Sequence, residues 1–246
     1  MKSEKLLIKN ICKRLLIFGM VIPLFLSGCA TTRFISNPTP PQELKISGKD
    51  QNFEAVLDYI ILLNGPGAWV KDALWDEYFL TIRNLSDKAL TIEKIRLIDL
   101  RGVYIDGGVN PYQLESATKA LAEIYKEAGI GVAVGVGTTA LAIAAPLAFT
   151  PVAIVALPLY EVYNLNKAGT DISDREKIDK EFTRRNLSTV TLAGNATITG
   201  SAFFPIVPSP KALVIDYRMK NEIKTLEIPL EKLAGLHVGP VKEKKK

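Results

Sequence analysis

A long run without charged residues constrains the fold of this chain more than any other feature. Residues 128–160 are 33 consecutive positions without a charge, and they hold four glycines and nine alanines. Prolines stand at positions 146, 151 and 158. Such a run has to be buried in the protein, against a partner, or in a bilayer. The sequence on both sides has the turns and the mixed polarity of a folded domain, so the run interrupts that domain.

Three placements of the run are open. A membrane span needs about 20 apolar residues, but Pro146 and Pro151 divide the run. A helix over 131–145 would be about 22 Å long, against a hydrocarbon core of about 30 Å. A helical hairpin that turns at the prolines would instead dip into one leaflet. We predict the third placement, helices buried in the protein or against another protomer, because apolar helices in exported proteins are most often core.

Small residues recur four apart in the first part of this run. Gly131 and Gly135 have this spacing, and so do Ala133 and Gly137. Four-residue spacing puts small side chains on one helix face, where a second helix can approach closely. The pattern resembles the glycine-zipper segments of some outer-membrane lipoproteins, although it stops after Gly137. It predicts helix packing at Gly131, Gly135 and Gly137.

The N-terminal residues have the layout of an export signal. Residues 1–14 are basic, and residues 15–26 form an apolar run of 12, too short to span a membrane. Leu26, Ser27, Gly28 and Cys29 follow, and these four positions match the lipobox of bacterial lipoproteins. A thiol is the nucleophile that accepts diacylglycerol, and small residues before it let the signal peptidase reach the backbone. The chain is thus identified as a lipoprotein that is cleaved before Cys29.

This resemblance also implies a location in the cell. In Gram-negative members of the family, an Asp after the cysteine favours retention in the inner membrane, whereas this chain has Ala30. The resemblance therefore implies a lipid anchor on the outer membrane, with the protein facing the periplasm. The alternative location is the outer face of the cytoplasmic membrane. Because each buried methylene contributes about 0.8 kcal/mol, several acyl chains would make the attachment nearly permanent.

The charge distribution argues against a nucleic-acid partner. Residues 1–28 hold five basic residues and one acidic residue, and residues 242–246 hold four lysines and one glutamate. These two segments account for more than the whole formal charge of +5, so the body between them is slightly acidic. No basic stripe is left to bind phosphates. Cys12 falls in the signal peptide, so the mature chain has only Cys29 and no disulfide is predicted.

The rest of the sequence predicts an α+β fold, an antiparallel β-sandwich of immunoglobulin-like type interrupted by the apolar helical insertion. Residues 80–88 (LTIRNLSDK) resemble a strand and turn of immunoglobulin-like envelope modules. The predicted strands are 53–63, 77–83, 89–100, 103–105, 189–192, 196–204, 212–217 and 224–230. The predicted boundaries are a signal peptide at 1–28, a lipidated tether at 29–50, the first half of the sandwich at 51–108, a helical insertion at 109–187, the second half at 188–236 and a basic tail at 237–246.

Two amphipathic helices are expected within the insertion. Asn110 is a natural N-cap before Pro111, and an apolar stripe then continues to Gly129. Ser173, with Glu176 three residues later, predicts a second helix over about 174–185.

No pattern in the sequence points to catalysis or to metal binding. His237, the only histidine, stands next to the basic tail, where we expect it to be exposed. Because Cys29 is committed to lipid, no Cys/His zinc site is predicted. Acidic residues of 174–185 alternate with basic ones, which indicates a solvated, ion-paired face. Four aromatic residues are expected in the sandwich core rather than on a sugar-binding surface: Trp69, Trp75, Tyr78 and Phe79.

The function expected from these features is that of a non-catalytic structural or protein-interaction lipoprotein of the cell envelope, without a cofactor or a metal. Its partners would be the membrane, through the lipid, and an envelope protein or a second copy of the chain. The alternative is a lipoprotein that inserts into a bilayer or forms oligomers through 128–160. A third alternative is a glycan-active envelope enzyme.

Overall fold

Alternating and β-branched segments of the sequence become strands in the computed structural model, which describes residues 32–133 and 172–240. Its strands are β1 (Glu43–Lys49), β2 (Phe53–Ile61), β3 (Trp75–Asn84), β4 (Leu90–Ile98), β5 (Tyr104–Asp106), β6 (Gly131–Val132), β7 (Val190–Leu192), β8 (Thr197–Pro205), β9 (Ala212–Met219), β10 (Glu222–Pro229) and β11 (Val238–Gly239). Its helices are α1 (Pro111–Glu127) and α2 (Ile172–Arg185).

Two antiparallel sheets form the body. The first has the strand order β1-β2-β3-β8, and the second has the order β10-β9-β4-β5, with β7 also paired to β4. Their inner faces share one hydrophobic core, in which the rings of Phe53 and Tyr217 stack 4.6 Å apart across the two sheets. The predicted α+β class and the sandwich-like arrangement are confirmed at this level. The core keeps the body together because burial of its apolar side chains removes them from water.

The register of β4 explains an irregularity in its sequence. Leu90 and Ile92 are buried, and so are Ile95 and Leu97, but two polar residues stand between these pairs. A register shift against β9 lies between Ile92 and Lys94. An extra residue at such a bulge restores the alternation, so both apolar pairs face the core.

The predicted tether at 29–50 was wrong for residues 43–49, which form β1. This strand pairs with β2, and Ile46 contributes to the core. Local alternation is weak there because Lys45 has a φ of +50° beside a register shift. A Cβ on Gly48 would lie 2.9 Å from Ile228, so β1 approaches β10 closely at the edge of the sandwich. Neighbouring strands rather than its own sequence therefore define β1.

Helix α1 begins and ends as its sequence predicts. The side chain of Asn110 accepts hydrogen bonds from the N–H groups of Tyr112 and Gln113. At the other end Gly129 has a φ of +75°, and the N–H of Ile130 donates to the carbonyl of Tyr125. This is a Schellman C-cap, which a glycine adopts without strain.

The prediction of helix packing at Gly131 was wrong. Gly131 lies in β6, which pairs with β11. A Cβ on Gly131 would stand 2.1 Å from the carbonyl oxygen of Gly239, so the close approach for which a small residue is needed is made by a strand. The C-cap at Gly129 ends the helix two residues earlier, so Gly131 does not lie on a helix face and its four-residue spacing does not indicate helix packing.

A second core covers the outer face of the first sheet. Helix α2 packs there through Ile178 and Phe182, and the ring of Phe182 stacks on Phe203 at 4.0 Å. Trp69 and Trp75 belong to this second core, whereas Tyr78 is buried between the sheets. Phe79 is half-buried and stacks on Tyr59. Burial was thus correctly predicted for three of the four aromatic residues, but two of them lie under a helix.

Candidate functional site

The residues that the sequence singles out for lipid attachment lie just before the described chain. Thr32 is the first described residue, three positions after Cys29. The predicted positions outside the described residues are Leu26, Ser27, Gly28, Cys29, Ala30, Gly135, Gly137 and the tail 242–246. The structure therefore bears on the attachment through the residues that follow it, which start with Arg33.

Arg33 is held to the body by both helices. Its guanidinium lies 2.5 Å from the carboxylate of Glu115 on α1. The carboxylate of Asp174, in the first turn of α2, accepts the backbone N–H groups of Arg33 and Phe34 at 2.5 and 3.1 Å. Glu115 and Asp174 are both buried, so each relies on these donors to replace water. We call these four residues the Arg33 clasp.

Backbone contacts extend the Arg33 clasp along the chain. Residues 33–35 pair with residues 69–71 through two hydrogen bonds, from the N–H of Ile35 to Trp69 and from the N–H of Lys71 to Arg33. The guanidinium also donates to the carbonyls of Lys71 and Asp72, both at 3.0 Å. A segment with this many contacts behaves as part of the body, so the chain is fixed four residues after Cys29.

Behind the clasp, Glu77 on β3 is a buried carboxylate with its hydrogen bonds made. Its side chain is 1% exposed and accepts from the indole N–H of Trp69 at 2.6 Å and from the hydroxyl of Ser201 at 2.5 Å. Arg185, the last residue of α2, pairs with it at 3.0 Å. Arg185 also bonds Glu181, whose pKa is lowered to about 2 chiefly by its hydrogen bonds with Arg184. These contacts pin the end of α2 to the sheet.

The expectation that His237 is exposed was wrong. Its side chain is 7% exposed and its Nε2 lies 2.8 Å from the carboxylate of Asp76, which is buried on β3. Burial alone would lower the pKa of His237, but the charge and hydrogen bond of Asp76 and a hydrogen bond to the backbone of Ala133 raise it above its ordinary value. The ring is brought inward because β11 pairs with β6 next to it.

Residues near the limits of the two described ranges meet around one short stretch, residues 71–76, and two of them, Arg33 and His237, contact it directly. Arg33 binds the carbonyls of Lys71 and Asp72 and is bonded to Asp174, close to where the chain resumes at 172. His237 binds Asp76, and the N–H of Ala133 donates to the carbonyl of His237, so Ala133 lies next to His237 at this place. Residues 71–76 would span at most about 20 Å even if fully extended, so the contacts made with them lie close together. We call this end of the sandwich, where β3 begins and β8 ends, the anchor end.

The buried acidic residues of this site are each bonded to another segment of the described chain. No cluster of three or more His, Cys, Asp or Glu side chains could hold a metal ion within residues 32–133 and 172–240. Neither of the two helices in these ranges is long and apolar enough to cross a membrane. The buried carboxylates of Glu77 and Glu115 are each engaged with an arginine. These two ion pairs hold distant segments of the chain together.

Sequence reasoning missed the charged residues of this site. Asp76 and Glu77 stand side by side in the first half of β3, among the apolar residues of 75–80, and Glu115 stands beside the apolar stripe of α1. An acidic residue at a position that a pattern predicts to be buried is the signal that would have indicated an ion pair. No such signal points to Arg33, whose place depends on partners 82 and 141 positions away.

Comparison with known proteins adds no relative. No protein-family model, no curated protein and no solved structure matches this chain.

Proposed function

We propose that this protein is a lipid-anchored lipoprotein of the cell envelope that acts as a non-catalytic structural or interaction module. One observation carries the proposal: the Arg33 clasp holds the folded body four residues after Cys29. Arg33 and Phe34 are bonded to both helices, through an ion pair with Glu115 and backbone hydrogen bonds to Asp174, so the body would lie close to a lipid on Cys29. The Ala30 position favours the outer membrane, on its periplasmic side, over the cytoplasmic membrane.

The strand connections support an immunoglobulin-like topology for this module. Strands β3 and β8 are neighbours in one sheet, and β4 and β9 are neighbours in the other. The chain crosses between the sheets from β3 to β4 and again from β8 to β9. This pairing of four central strands is the arrangement of the B, E, C and F strands in immunoglobulin sandwiches. Folds of this type serve many functions, so the topology supports a module and does not specify its partner.

The contacts of His237 favour a non-catalytic reading over an envelope enzyme. A general base needs a ring nitrogen that is free for the proton of a nucleophile. In His237 one ring nitrogen is engaged with Asp76 and the ring also hydrogen-bonds the backbone of Ala133. The imidazole thus fastens the chain next to β11 to the body through its contacts with described residues of the protein itself.

The test of the proposal is lipid attachment at Cys29. We expect Cys29→Ser to abolish labelling by a fatty-acid probe and to leave the uncleaved precursor, because the hydroxyl does not replace the thiol as acyl acceptor. Cys12→Ser is the matched control, since it removes the other cysteine and leaves the lipobox intact. Gel mobility and probe labelling in a Gram-negative host measure both. A Cys29→Ser protein that is processed and labelled normally would refute the proposal.

A second candidate function has one observation in its favour. The described chain stops at Ala133 and resumes at Ile172, and both points lie at the anchor end. If Cys29 carries lipid, both points would lie near the membrane. In this alternative, 128–160 inserts into the bilayer or associates with other copies of the chain.

A further inference from the structure

The imidazole of His237 connects three segments of the chain. Its Nε2 lies 2.8 Å from the carboxylate of Asp76 on β3. The ring also hydrogen-bonds the backbone of Ala133, the residue after β6, and because this bond raises the pKa of His237, the backbone group is an acceptor. In return, the N–H of Ala133 donates to the carbonyl of His237. The residue before β11 is thus bonded both to β3 and to the end of β6.

Both partners of the ring are acceptors, so the arrangement needs two donors. Only the charged imidazolium has an N–H on each nitrogen, whereas the neutral ring has one. Loss of the proton therefore leaves either the carboxylate of Asp76 or the backbone of Ala133 without its donor. Asp76 is 1% exposed, and within the described residues its Oδ1 has no hydrogen-bond partner. The loss of a cation beside this buried carboxylate is costly.

Among the described residues, Asp76 is the charged side chain that acts on His237. Tyr78 follows it on the same face of β3, and burial and the charge of Asp76 hold the pKa of Tyr78 well above its ordinary value, so the phenol stays neutral. Asp99, buried at α1, is paired with Arg101. β6, β11 and the residues next to them contain no other charged residue. The charged residues at the end of α1 and in the turns before β9 and β11 are exposed: Lys126, Glu127, Lys211, Glu231 and Lys232.

Little besides the imidazole holds the β6–β11 pair. The pairing covers two residues on each strand, and a pair of this length has little stability of its own. The side chain of His237 is 7% exposed, whereas Val238 is 44% exposed and Gly239 has no side chain. His237 also has a φ of +57°, which is unfavourable for a residue other than glycine. Attachment of residues 237–240 therefore depends on the contacts of the imidazole.

We propose that His237 is a pH-dependent clip, which in its protonated form holds the β6–β11 pair to β3 and on deprotonation releases this pair while the sandwich stays folded. The core between the two sheets contains no residue of β6 or β11, so it is kept when the pair is released. The clip requires neither lipid nor a partner and is independent of the proposed function. Because β6 belongs to the apolar run 128–160, the clip determines how firmly the start of that run is held to the body.

Hydrogen exchange of the full-length protein in mild detergent tests the clip. Peptides that cover 131–133 and 237–240 are compared by mass spectrometry at pH 6 and pH 8, after correction for the intrinsic exchange rate at each pH. We expect their protection to fall by about tenfold, which corresponds to the loss of one charge-assisted hydrogen bond. His237→Gln removes the only imidazole of the chain and should give the low protection at both pH values. Glu176→Gln, exposed on α2, is the control and should keep the pH response.

The same experiment separates local release from unfolding. Peptides of β3 should stay at least about a hundredfold more protected than those of β6 and β11 at both pH values, and low urea should speed exchange in β3 alone. Exchange of the β6–β11 pair only together with β3 would overturn the clip, and so would an unchanged pH response in His237→Gln. If this variant does not fold, the single imidazole signal of the unmodified protein is titrated by NMR. Protection that continues to fall after the imidazole has lost its proton would then overturn the proposal.

Discussion

At the scale of single residues, this protein relies on buried charges that are compensated one by one. Glu77, Glu115, Asp76 and Asp174 are all buried, and each meets a cation or N–H donors from a distant segment. Removing one partner of a buried pair is costly, because the other charge is left without water or a counter-charge. The contacts of these residues therefore determine which segments stay attached to the sandwich.

Glu77 gives the first prediction. We expect Glu77→Gln to destabilise the protein by about 3 kcal/mol, because Arg185 loses its buried partner and keeps only Glu181. The control is Glu176→Gln on the exposed face of α2, for which we expect a change below about 0.5 kcal/mol. Urea denaturation followed by tryptophan fluorescence measures both, since Trp69 contacts Glu77 directly. Equal effects of the two variants would contradict the structural role of Glu77.

The pair of His237 and Asp76 gives a prediction for pH. The pKa of His237 is raised above 6.5, so the folded state holds the proton more tightly than the unfolded state. The resulting stabilisation is complete below about pH 6.5 and is lost as the pH rises through the raised pKa. Within the described residues the second oxygen of Asp76 has no hydrogen-bond partner, so the charged imidazole is its main compensation.

We therefore expect the free energy of unfolding to fall between pH 6 and pH 8, and His237→Gln to remove most of this dependence. The difference in stability between the protein and His237→Gln should be larger at pH 6 than at pH 8, as measured by urea denaturation at both pH values. A difference that grows with pH would mean that His237 is neutral in the folded protein.

At the scale of elements, a short strand pairing rather than a continued helix follows the first described residues of the apolar run. Helix α1 ends at its glycine C-cap, and two residues later β6 pairs with β11 over only two residues on each strand. A pair of this length has little stability of its own. It persists because Ala133 and His237 continue the contact and because His237 is held by Asp76.

The substitution Gly131→Ala distinguishes the β6–β11 pairing from a continued helix, because the two arrangements predict opposite changes in stability. In a helix, Gly131→Ala should stabilise the protein by up to about 1 kcal/mol. In β6, the added Cβ meets the carbonyl oxygen of Gly239 at 2.1 Å, so we expect a loss of more than 1 kcal/mol and faster amide hydrogen exchange at Val132 and Val238. Gly102→Ala is the control. Gly102 has a positive φ and no atom near an added Cβ, so this variant measures backbone strain without a steric clash. Stabilisation by Gly131→Ala would refute the β6–β11 pairing.

At the scale of the whole molecule, residues near the limits of the described ranges gather at one end of the sandwich. Arg33 and His237 contact residues 71–76 directly, Asp174 is bonded to Arg33, and Ala133 is bonded to His237. The opposite end consists of turns between strands. This polarity suits a protein that is held at one end and presents the other.

The two candidate functions differ in a property of the whole chain. If 128–160 is packed within the protein, the chain from Thr31 onward should remain monodisperse without detergent and should not float with phosphatidylcholine vesicles at 0.5 M salt. If the run inserts into a bilayer, the same unlipidated chain should float. Neutral lipid and high salt exclude attraction by the tail lysines, and the lipidated protein, which must float, is the control. Clear flotation of the unlipidated chain would favour insertion.

The sequence was sufficient where a structural signal is local. Alternation and turn residues located β2 to β4 and β7 to β10 within about two residues, and Asn110 and Gly129 marked the ends of α1. These signals depend on side chains a few positions apart, which a single segment already contains. The predicted lipobox is a local signal too, because it consists of four consecutive residues, and it stays a prediction because these residues lie outside the described ranges.

Only the tertiary structure decided which distant segments meet. Strand β1 has little alternation of its own and exists through its pairing with β2, and β6 exists through β11. Arg33 and Glu115 are 82 positions apart, Glu77 and Arg185 are 108 apart, and Asp76 and His237 are 161 apart. Sequence reasoning predicts that a charged residue is exposed, because burying a charge without a partner is costly. In the folded protein a residue from a distant segment supplies that partner and offsets the cost. The predicted tether at 29–50 thus contains the Arg33 clasp and strand β1, and the histidine predicted to be exposed belongs to a buried ion pair.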